Sequence, residues 1–144
     1  MTKRDFRAAS PLLIIKGAGD LATGTAHRLY RAGYRFIMTE LARPTAIRRT
    51  VSFSQAIYDG RMTVEAVTAV RADTENFREA LTAGHIPVLV APEEAWLDEL
   101  GAAALIEATL SKKNTGVTRR PGRTTLALGP GYRAGTDVDG VVET

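Results

Sequence analysis

The sequence contains no cysteine, only two histidines, and no apolar run that approaches the length of a membrane span. The lack of cysteine excludes disulfides, zinc–thiolate sites and cysteine nucleophiles from this chain. Two histidines also give little material for a metal site, and we expect none. A transmembrane helix takes roughly 18 or more apolar residues, whereas the apolar residues 12–15 are too few even for a signal peptide. We therefore expect no membrane association and a cytoplasmic location.

Charge is spread along the chain rather than concentrated on one element. The 144 residues are 44% hydrophobic and 24% charged, which is typical of one soluble domain with a hydrophobic core. The net charge is +3, and basic residues gather in two small groups at residues 43–49 and 112–123. A nucleic-acid-binding protein would place such residues on one element, so we expect no nucleic-acid partner. The two groups are interpreted either as solvated surface or as anion-binding residues.

The first 40 residues carry the pattern of a strand–helix–strand unit. Residues 12–15 are continuously apolar and are followed by Gly17, as in a central parallel strand that is buried on both faces. Apolar residues then recur at helical spacing from Asp20 to Ala32, and Gly33 marks the end of that helix. Residues 34–39 form a second strand that ends at Glu40. The connection between the two parallel strands is expected to be right-handed.

Predicted strands and helices continue to alternate along the rest of the chain. After a short helix at 52–58, we predict strands at 64–72, 87–90, 103–106 and 125–128, helices at 74–83 and 92–100, and the start of a helix at 137–144. This alternation predicts an α/β fold with a doubly wound, mostly parallel sheet and helices on both faces, as in Rossmann-like domains. Residues 1–10 are expected to be disordered. Residues 11–144 form the domain, and its unfinished last helix predicts that a C-terminal domain is missing.

The strongest local signal is a G-x-G-x-x-A sequence between the first strand and the first helix. It consists of Gly17, Ala18, Gly19, Asp20, Leu21 and Ala22. In a dinucleotide-binding fingerprint, the first glycine permits a tight turn, the second lets a pyrophosphate approach the backbone, and the small third residue lets the helix pack closely. The N–H groups and dipole of the helix N-terminus attract negative charge. We call residues 17–22 the glycine turn and predict that it holds a phosphate.

Two carboxylates flank this turn and are open to more than one interpretation. Glu40 ends the second strand about 20 residues after the turn, where an acid accepts hydrogen bonds from ribose hydroxyls. The alternative is that the glycines form only a tight turn and that Glu40 is only a charge at a strand end. Asp20 suits the helix dipole but repels a phosphate, so it either caps the helix or binds a sugar, a pterin amide or a metal.

Three further groups of candidates follow predicted strands, where ligands of open α/β sheets bind. They are Thr45 and Arg48; Lys112, Lys113 and Asn114; and Gly129, Pro130 and Gly131. Arginine suits a phosphate because its planar guanidinium donates paired hydrogen bonds, whereas the two loops are explained equally well as turns. The chain has no G-x-S-x-G motif and no carboxylates at a recognisable spacing. We therefore assign no catalytic residue.

Several long segments match more than a generic Rossmann pattern. They are GAGDLATGTAHRLYRAGY, RPTAIRRTVSFSQAIYDG, TVEAVTAV, IPVLV, SKKNTG and ALGPGYRAGTDVDGVVET. In this order they resemble the selenium-dependent molybdenum hydroxylase accessory (system) protein family, which is distantly similar to xanthine dehydrogenase accessory protein C. The match runs from about Leu12 to Thr144, and family members continue beyond the position of Thr144.

The resemblance implies a maturation factor that binds molybdenum cofactor or a nucleotide at the glycine turn and hands it on. The implied partners are a molybdenum hydroxylase apoenzyme and a sulfur or selenium donor protein; whether the domain forms a homo-oligomer stays open. A covalent chalcogen carrier needs a cysteine, which this chain lacks, so the donor must be another protein. The rival interpretations are an NAD-dependent oxidoreductase domain, favoured by Glu40, and a non-catalytic module that senses a nucleotide.

Overall fold

A computed structural model of the protein describes residues 12–44, 46, 48–90, 100–110, 112, 114, 117–119 and 122–142. Within these ranges, eight strands form one sheet, and two 3₁₀ turns, Arg49–Val51 and Phe53–Gln55, precede the second helix. The elements are β1 (Leu12–Lys16), α1 (Asp20–Arg31), β2 (Arg35–Glu40), α2 (Ala56–Asp59), β3 (Arg61–Val64), β4 (Val67–Arg71), α3 (Phe77–Thr82), β5 (Ile86–Val90), β6 (Ala104–Glu107), β7 (Thr124–Leu128) and β8 (Gly140–Val142).

The strand order identifies the topology. The sheet runs β3-β4-β5-β2-β1-β6-β7-β8, and β3 alone among these strands is antiparallel to its neighbour. Without the β3–β4 hairpin, the order β5-β2-β1-β6-β7-β8 is the 3-2-1-4-5-6 order of the Rossmann fold. The direction in which strands are added reverses between β1 and β6, which is the point where such sheets bind ligands.

The central strands are apolar on both sides because each side faces a separate core. Successive side chains of a strand point to opposite faces. Ile15 belongs to the cluster that contains Ala22 of α1, whereas Ile14 belongs to the cluster that contains Phe77 of α3. Each fully buried side chain of this size contributes roughly 1.5–3 kcal/mol. Helices therefore cover both faces of a mostly parallel sheet, and the predicted α/β fold is confirmed.

The third strand predicted at 64–72 is confirmed at Val67–Arg71, but its predicted start is wrong, because a hairpin turn precedes Val67. Arg61–Val64 and Val67–Arg71 pair as antiparallel strands around Glu65 and Ala66, whose φ angles are +47° and +67°. A two-residue hairpin with both central φ angles positive favours Asn and Gly. Neither residue type is present here, so no turn signal interrupts this apolar, β-branched run.

The predicted helix start at 137–144 is also wrong, because Gly140–Val142 forms β8. It pairs in parallel with β7, and Asp139 fixes the register. The Asp139 N–H donates to the Thr125 carbonyl at 2.8 Å, and its carboxylate accepts the Thr125 N–H, also at 2.8 Å. Tertiary pairing with an existing strand thus overrides a weak helical pattern, and two β-branched valines favour the extended state.

The other predicted elements lie close to their predicted positions. The helix predicted at 74–83 is shorter, at Phe77–Thr82, because Asp73 and Asn76 form a reciprocal box in front of it. The Asp73 carboxylate accepts the Asn76 N–H, and the Asn76 amide oxygen accepts the Asp73 N–H, both at 2.8 Å. The disorder predicted for residues 1–10 and the helix predicted from Pro92, except for Leu100 at its end, lie outside the described residues.

Candidate functional site

Gly17 is needed for backbone conformation and for close packing. Its φ is +103°, which side chains of L-residues rarely adopt, and its N–H donates to the Thr39 carbonyl at 2.8 Å. A Cβ atom at this position would lie 3.2 Å from the Ala108 carbonyl carbon and oxygen. Ala108 directly follows β6, so Gly17 packs the end of β1 against the end of β6, across the switch point of the sheet.

Gly19, in contrast, leaves open space. A Cβ atom added at this position would meet nothing within 4 Å. Within the described ranges, the N–H groups of Gly19, just before α1, and of Asp20 and Ala22 in its first turn have no hydrogen-bond acceptor, whereas that of Leu21 donates to Asp20. The Ala22 side chain is buried against the core, and Leu21 is 45% exposed. The turn therefore presents unsatisfied donors beside a gap, as an anion-binding helix N-terminus does.

The structure brings Glu40 onto the glycine turn. One carboxylate oxygen accepts the Ala18 N–H at 3.2 Å, and the other accepts the Leu41 N–H at 2.8 Å. The acid predicted to bind ribose hydroxyls is thus held beside the turn by two backbone donors, and the Ala18 amide is already satisfied. The amides of Gly19, Asp20 and Ala22 are those left for a ligand.

The segment after Arg48 is fixed to the same turn. The Ser54 N–H donates to the Ala18 carbonyl at 2.8 Å, and the Phe53 N–H donates to the Thr23 hydroxyl at 2.9 Å. Arg48, with a side chain 71% exposed, lies with its Nη1 atom 3.6 Å from the Asp20 carboxylate. Arg48 therefore lies beside the turn, and its binding to a ligand phosphate stays a prediction, whereas Thr45 lies outside the described residues.

Asp20 does not cap α1. The residue before the helix is Gly19, which makes no side-chain cap, and Asp20 is itself the first residue of α1. Its carboxylate accepts the Leu21 N–H at 3.0 Å and faces Arg48. An exposed pair of this kind contributes little to stability, but it keeps the guanidinium beside the open amides and partly neutralises the carboxylate.

The two predicted loops after β6 and β7 have mixed outcomes. Lys112 is exposed, Lys113 lies outside the described residues, and Asn114 exchanges two hydrogen bonds of 2.9 Å with the Val117 backbone. Gly129 has φ +99°, and a Cβ atom there would lie 3.0 Å from the Leu110 Cα. Gly129 therefore packs on the loop after β6 and is buried, whereas Pro130 is exposed and Gly131 is half-buried.

Sequence reasoning missed two charged residues that lie at the ends of the neighbouring strands β1 and β6. Lys16 ends β1 and Glu107 ends β6, and the Lys16 Nζ atom is 3.6 Å from the Glu107 carboxylate. The Lys16 side chain is 13% exposed and that of Glu107 is 0% exposed. The signal was present in LLIIK and ALIE, in each of which a single charge ends an otherwise apolar strand.

Glu107 links segments that lie at the strand ends on both sides of the switch point. One of its oxygens accepts the Thr109 N–H at 2.7 Å and also the Thr109 hydroxyl proton. The other accepts the Tyr132 hydroxyl proton at 3.0 Å and faces Lys16. We call Lys16, Glu107, Thr109 and Tyr132 the switch-point cluster. It joins β1, the end of β6 and the loop after β7 through one buried carboxylate.

The strand order and the glycine turn at the end of β1 define a Rossmann-type domain. The chain is 46% identical over 145 residues to an uncharacterized protein, YqeB, of Escherichia coli (strain K12). The alignment covers 100% of this chain and 27% of that protein, so the chain spans about a quarter of the length of its curated relative. No protein-family model matches the chain, and no solved structure matches it. No helix in the described ranges is both long enough and apolar enough to cross a membrane.

Proposed function

We propose that this domain binds a phosphate-bearing cofactor at the glycine turn and hands it on, as an accessory protein in the maturation of selenium-dependent molybdenum hydroxylases. The observation that carries the proposal is the open space at Gly19 beside three amides with no recorded acceptor in the described chain. Arg48 adds an exposed positive charge at the edge of that space. These groups suit an anion at a helix N-terminus.

The ligand we favour is a molybdopterin-type cofactor or a nucleotide. Both carry a phosphate or pyrophosphate, and the donors at the turn are of the kind that bind one. The family resemblance of the quoted segments supports molybdenum cofactor over other anions. It also supports the proposed partners, which are a hydroxylase apoenzyme and a separate sulfur or selenium donor.

Transfer to a partner requires a ligand that stays accessible while it is bound. The turn lies at the carboxyl edge of the sheet, and Arg48 and Leu21 beside it are exposed. A site of this shape releases its ligand without opening a buried core. The proposal includes a cytoplasmic location.

A second candidate function is an NAD-dependent oxidoreductase domain, which Glu40 specifically favours. Its carboxylate lies on the glycine turn, and each of its oxygens keeps lone pairs that can accept a ribose hydroxyl. A carboxylate in this place accepts hydrogen bonds from the ribose of NAD, whereas NADP carries a phosphate there.

Calorimetric titration of the purified chain with isolated molybdenum cofactor, CTP, AMP, NAD and NADP separates these candidates. We expect binding of molybdenum cofactor and no binding of the nicotinamide nucleotides. Tight NAD binding together with hydride transfer to an acceptor would establish the oxidoreductase instead. If none of the five ligands binds, the proposal is wrong.

Gly19→Val locates the site. A Cβ atom at this position meets nothing within 4 Å, so we expect the domain to fold, while the valine side chain enters the space proposed for the ligand. We expect binding to fall below detection. Gly24→Val, which adds the same atoms on an exposed part of α1 where nothing lies within 4 Å, is the matched control and keeps wild-type affinity. Equal binding by both variants would place the ligand elsewhere.

A further inference from the structure

A cavity of about 480 Å³ opens at the carboxyl ends of β4 and β5. Its volume lies within the roughly 300–1,000 Å³ range of small-molecule sites. The residues that line it include Leu89 and Val90 of β5, Arg71 at the end of β4, and Asp73 and Asn76 before α3. Because β4 lies outside the six-strand Rossmann order, the wall formed by residues 71–76 is an addition to the common dinucleotide site.

The cavity begins one strand beyond Glu40. Val90 and Glu40 are paired residues of the neighbouring parallel strands β5 and β2, and such strands lie about 4.7–4.9 Å apart. Glu40 in turn accepts the Ala18 N–H at 3.2 Å. Along the carboxyl edge of the sheet, the order is therefore the glycine turn, Glu40, Val90 and the cavity. A ligand with a phosphate at the turn and a sugar at Glu40 has its ring system next along this edge.

The reciprocal box of Asp73 and Asn76 determines which of their polar atoms are left for a ligand. Asp73 Oδ1 accepts the N–H groups of Glu75 and Asn76 at 2.9 and 2.8 Å. Asn76 Oδ1 accepts the Asp73 N–H at 2.8 Å. Within the described part of the chain, nothing donates to Asp73 Oδ2 and nothing accepts from Asn76 Nδ2. The pair therefore has one acceptor and one donor left, and the backbone contacts hold the two side chains together.

An acceptor beside a donor complements a ring edge on which a donor lies beside an acceptor. The amino group and N1 of adenine form such an edge, and so do N3–H and O4 of a pterin. A phosphate offers acceptors alone, and an ionised carboxylate cannot donate to it. The cavity therefore suits the heterocyclic end of a ligand rather than its anionic end.

We infer that this cavity binds the nitrogen heterocycle of the ligand, with Asp73 accepting a proton from a ring N–H or amino group and Asn76 donating to the acceptor beside it. The inference rests on the proposed function, which puts the phosphate end of the same ligand at the glycine turn. Val90, which is 43% exposed, supplies an apolar surface for the ring. The ligand class is a phosphorylated purine nucleoside or pterin, since both carry this edge.

Asp73→Asn tests this edge while keeping the box. The new Oδ1 atom still accepts the two backbone N–H groups, but Nδ2 replaces the free carboxylate oxygen, so a donor meets the donor of the ring. Wild type and variant would be titrated by calorimetry with ADP, neopterin and pyrophosphate, of which only the first two carry a ring. We expect the affinity for the ring-bearing probes to fall by about tenfold or more, the size of a lost hydrogen bond to a charged group. Pyrophosphate affinity should stay within about threefold.

Glu75→Gln is the matched control. It removes one negative charge from the same segment, and Glu75 does not line the cavity. We expect this variant to bind all three probes with wild-type affinity. A loss of ADP affinity as large as that of Asp73→Asn would mean that the net charge of the segment matters rather than the Asp73 edge, and it would overturn the inference.

A second measurement uses only the wild-type protein and stands even if Asp73→Asn does not fold. The side-chain amide of Asn76 gives its own NMR signals in 15N-labelled protein. We expect these signals to move when ADP or neopterin is added and to stay in place with pyrophosphate. Binding of a ring-bearing probe with the Asn76 signals unmoved would contradict the inference.

The outcomes separate the inference from the proposed function. If ADP and pyrophosphate bind equally well to wild type and to Asp73→Asn, the ring lies elsewhere and the inference is wrong, while the phosphate site stands. If a ring-bearing probe binds and depends on Asp73 but pyrophosphate does not bind, the cavity holds the ring and the proposed phosphate site fails. A response to ADP alone identifies the ring as a purine, and a response to neopterin alone identifies it as a pterin; both support the inference. If no probe binds, both proposals fail.

Discussion

Gly17 and Gly19 belong to one motif but meet different physical demands. Gly17→Ala places a Cβ atom 3.2 Å from the Ala108 backbone in a residue with φ +103°, so we expect the free energy of unfolding to fall by about 1–3 kcal/mol. Gly19→Ser fills open space at a helix N-cap, where serine is favoured, and should leave stability unchanged or slightly higher. Urea unfolding of both variants measures the difference. An equal loss in both would mean that the two glycines are interchangeable.

A site residue could be predicted where a sequence motif fixes its backbone position. It could not be predicted where only the packing of distant segments brings it into the site. The glycine turn, Glu40 and Arg48 follow strands at fixed spacing, so the sheet itself brings them together. Lys16 and Glu107 are close because β1 and β6 are neighbours, a pairing between residues about 90 positions apart. No local signal carries that information, although a charge at the end of an apolar strand was visible.

At the scale of elements, α1 carries a glycine, Gly24, that no contact within the described part of the chain requires. Gly24 is exposed, and a Cβ atom there would meet nothing within 4 Å. Gly24→Ala removes the entropic penalty of glycine inside a helix, so we expect the free energy of unfolding to rise by about 0.5–1 kcal/mol. Thermal or urea unfolding measures it. A loss of stability would show that this part of α1 needs a conformation or a contact that alanine blocks.

β8 is held at its start by a carboxylate, which makes its stability depend on pH. The Thr125 N–H and, second, the Arg119 guanidinium lower the pKa of Asp139 below its ordinary value of about 3.9. A depressed pKa contributes stability that is complete above the unfolded value and disappears as the pH falls through the folded value. The wild-type chain should therefore be more stable than Asp139→Asn near neutral pH, and the difference should begin to shrink below about pH 4 and continue to fall as the pH is lowered further. Urea unfolding from pH 7 to pH 3 tests this, and a pH-independent difference would contradict it.

The elements that sequence reasoning missed are those defined by a partner strand. β1, α1, β2 and β5 were predicted because their apolar pattern is continuous or helical and glycines mark their boundaries: Gly17 follows β1, Gly33 lies between α1 and β2, and Gly84 precedes β5. The β3–β4 hairpin has Glu65 and Ala66 at its turn, both with positive φ, and such residues carry no turn signal. β8 is short and extended only because it adds to the edge of β7.

At the scale of the whole molecule, the fold and the site follow from one arrangement. The Rossmann strand order places the ends of β1, β2, β6 and β7 on one edge, and the glycine turn, Glu40, the switch-point cluster and the loop after β7 all lie there. The sequence predicted the sheet type, since buried parallel strands alternate with helices. The antiparallel hairpin that extends the sheet beyond β5 changes neither the strand order around the turn nor the position of the switch point.

The central claim is that an anion binds to the first amides of α1, and an NMR titration tests it most directly. Backbone amide spectra of 15N-labelled protein would be recorded as ADP is added. We predict that the Gly19, Asp20 and Ala22 signals move most and that the shifts saturate, whereas Ala18, whose N–H donates to Glu40, moves less. Saturable binding with these three signals unmoved would contradict the account, as would the absence of any binding by phosphate-bearing ligands.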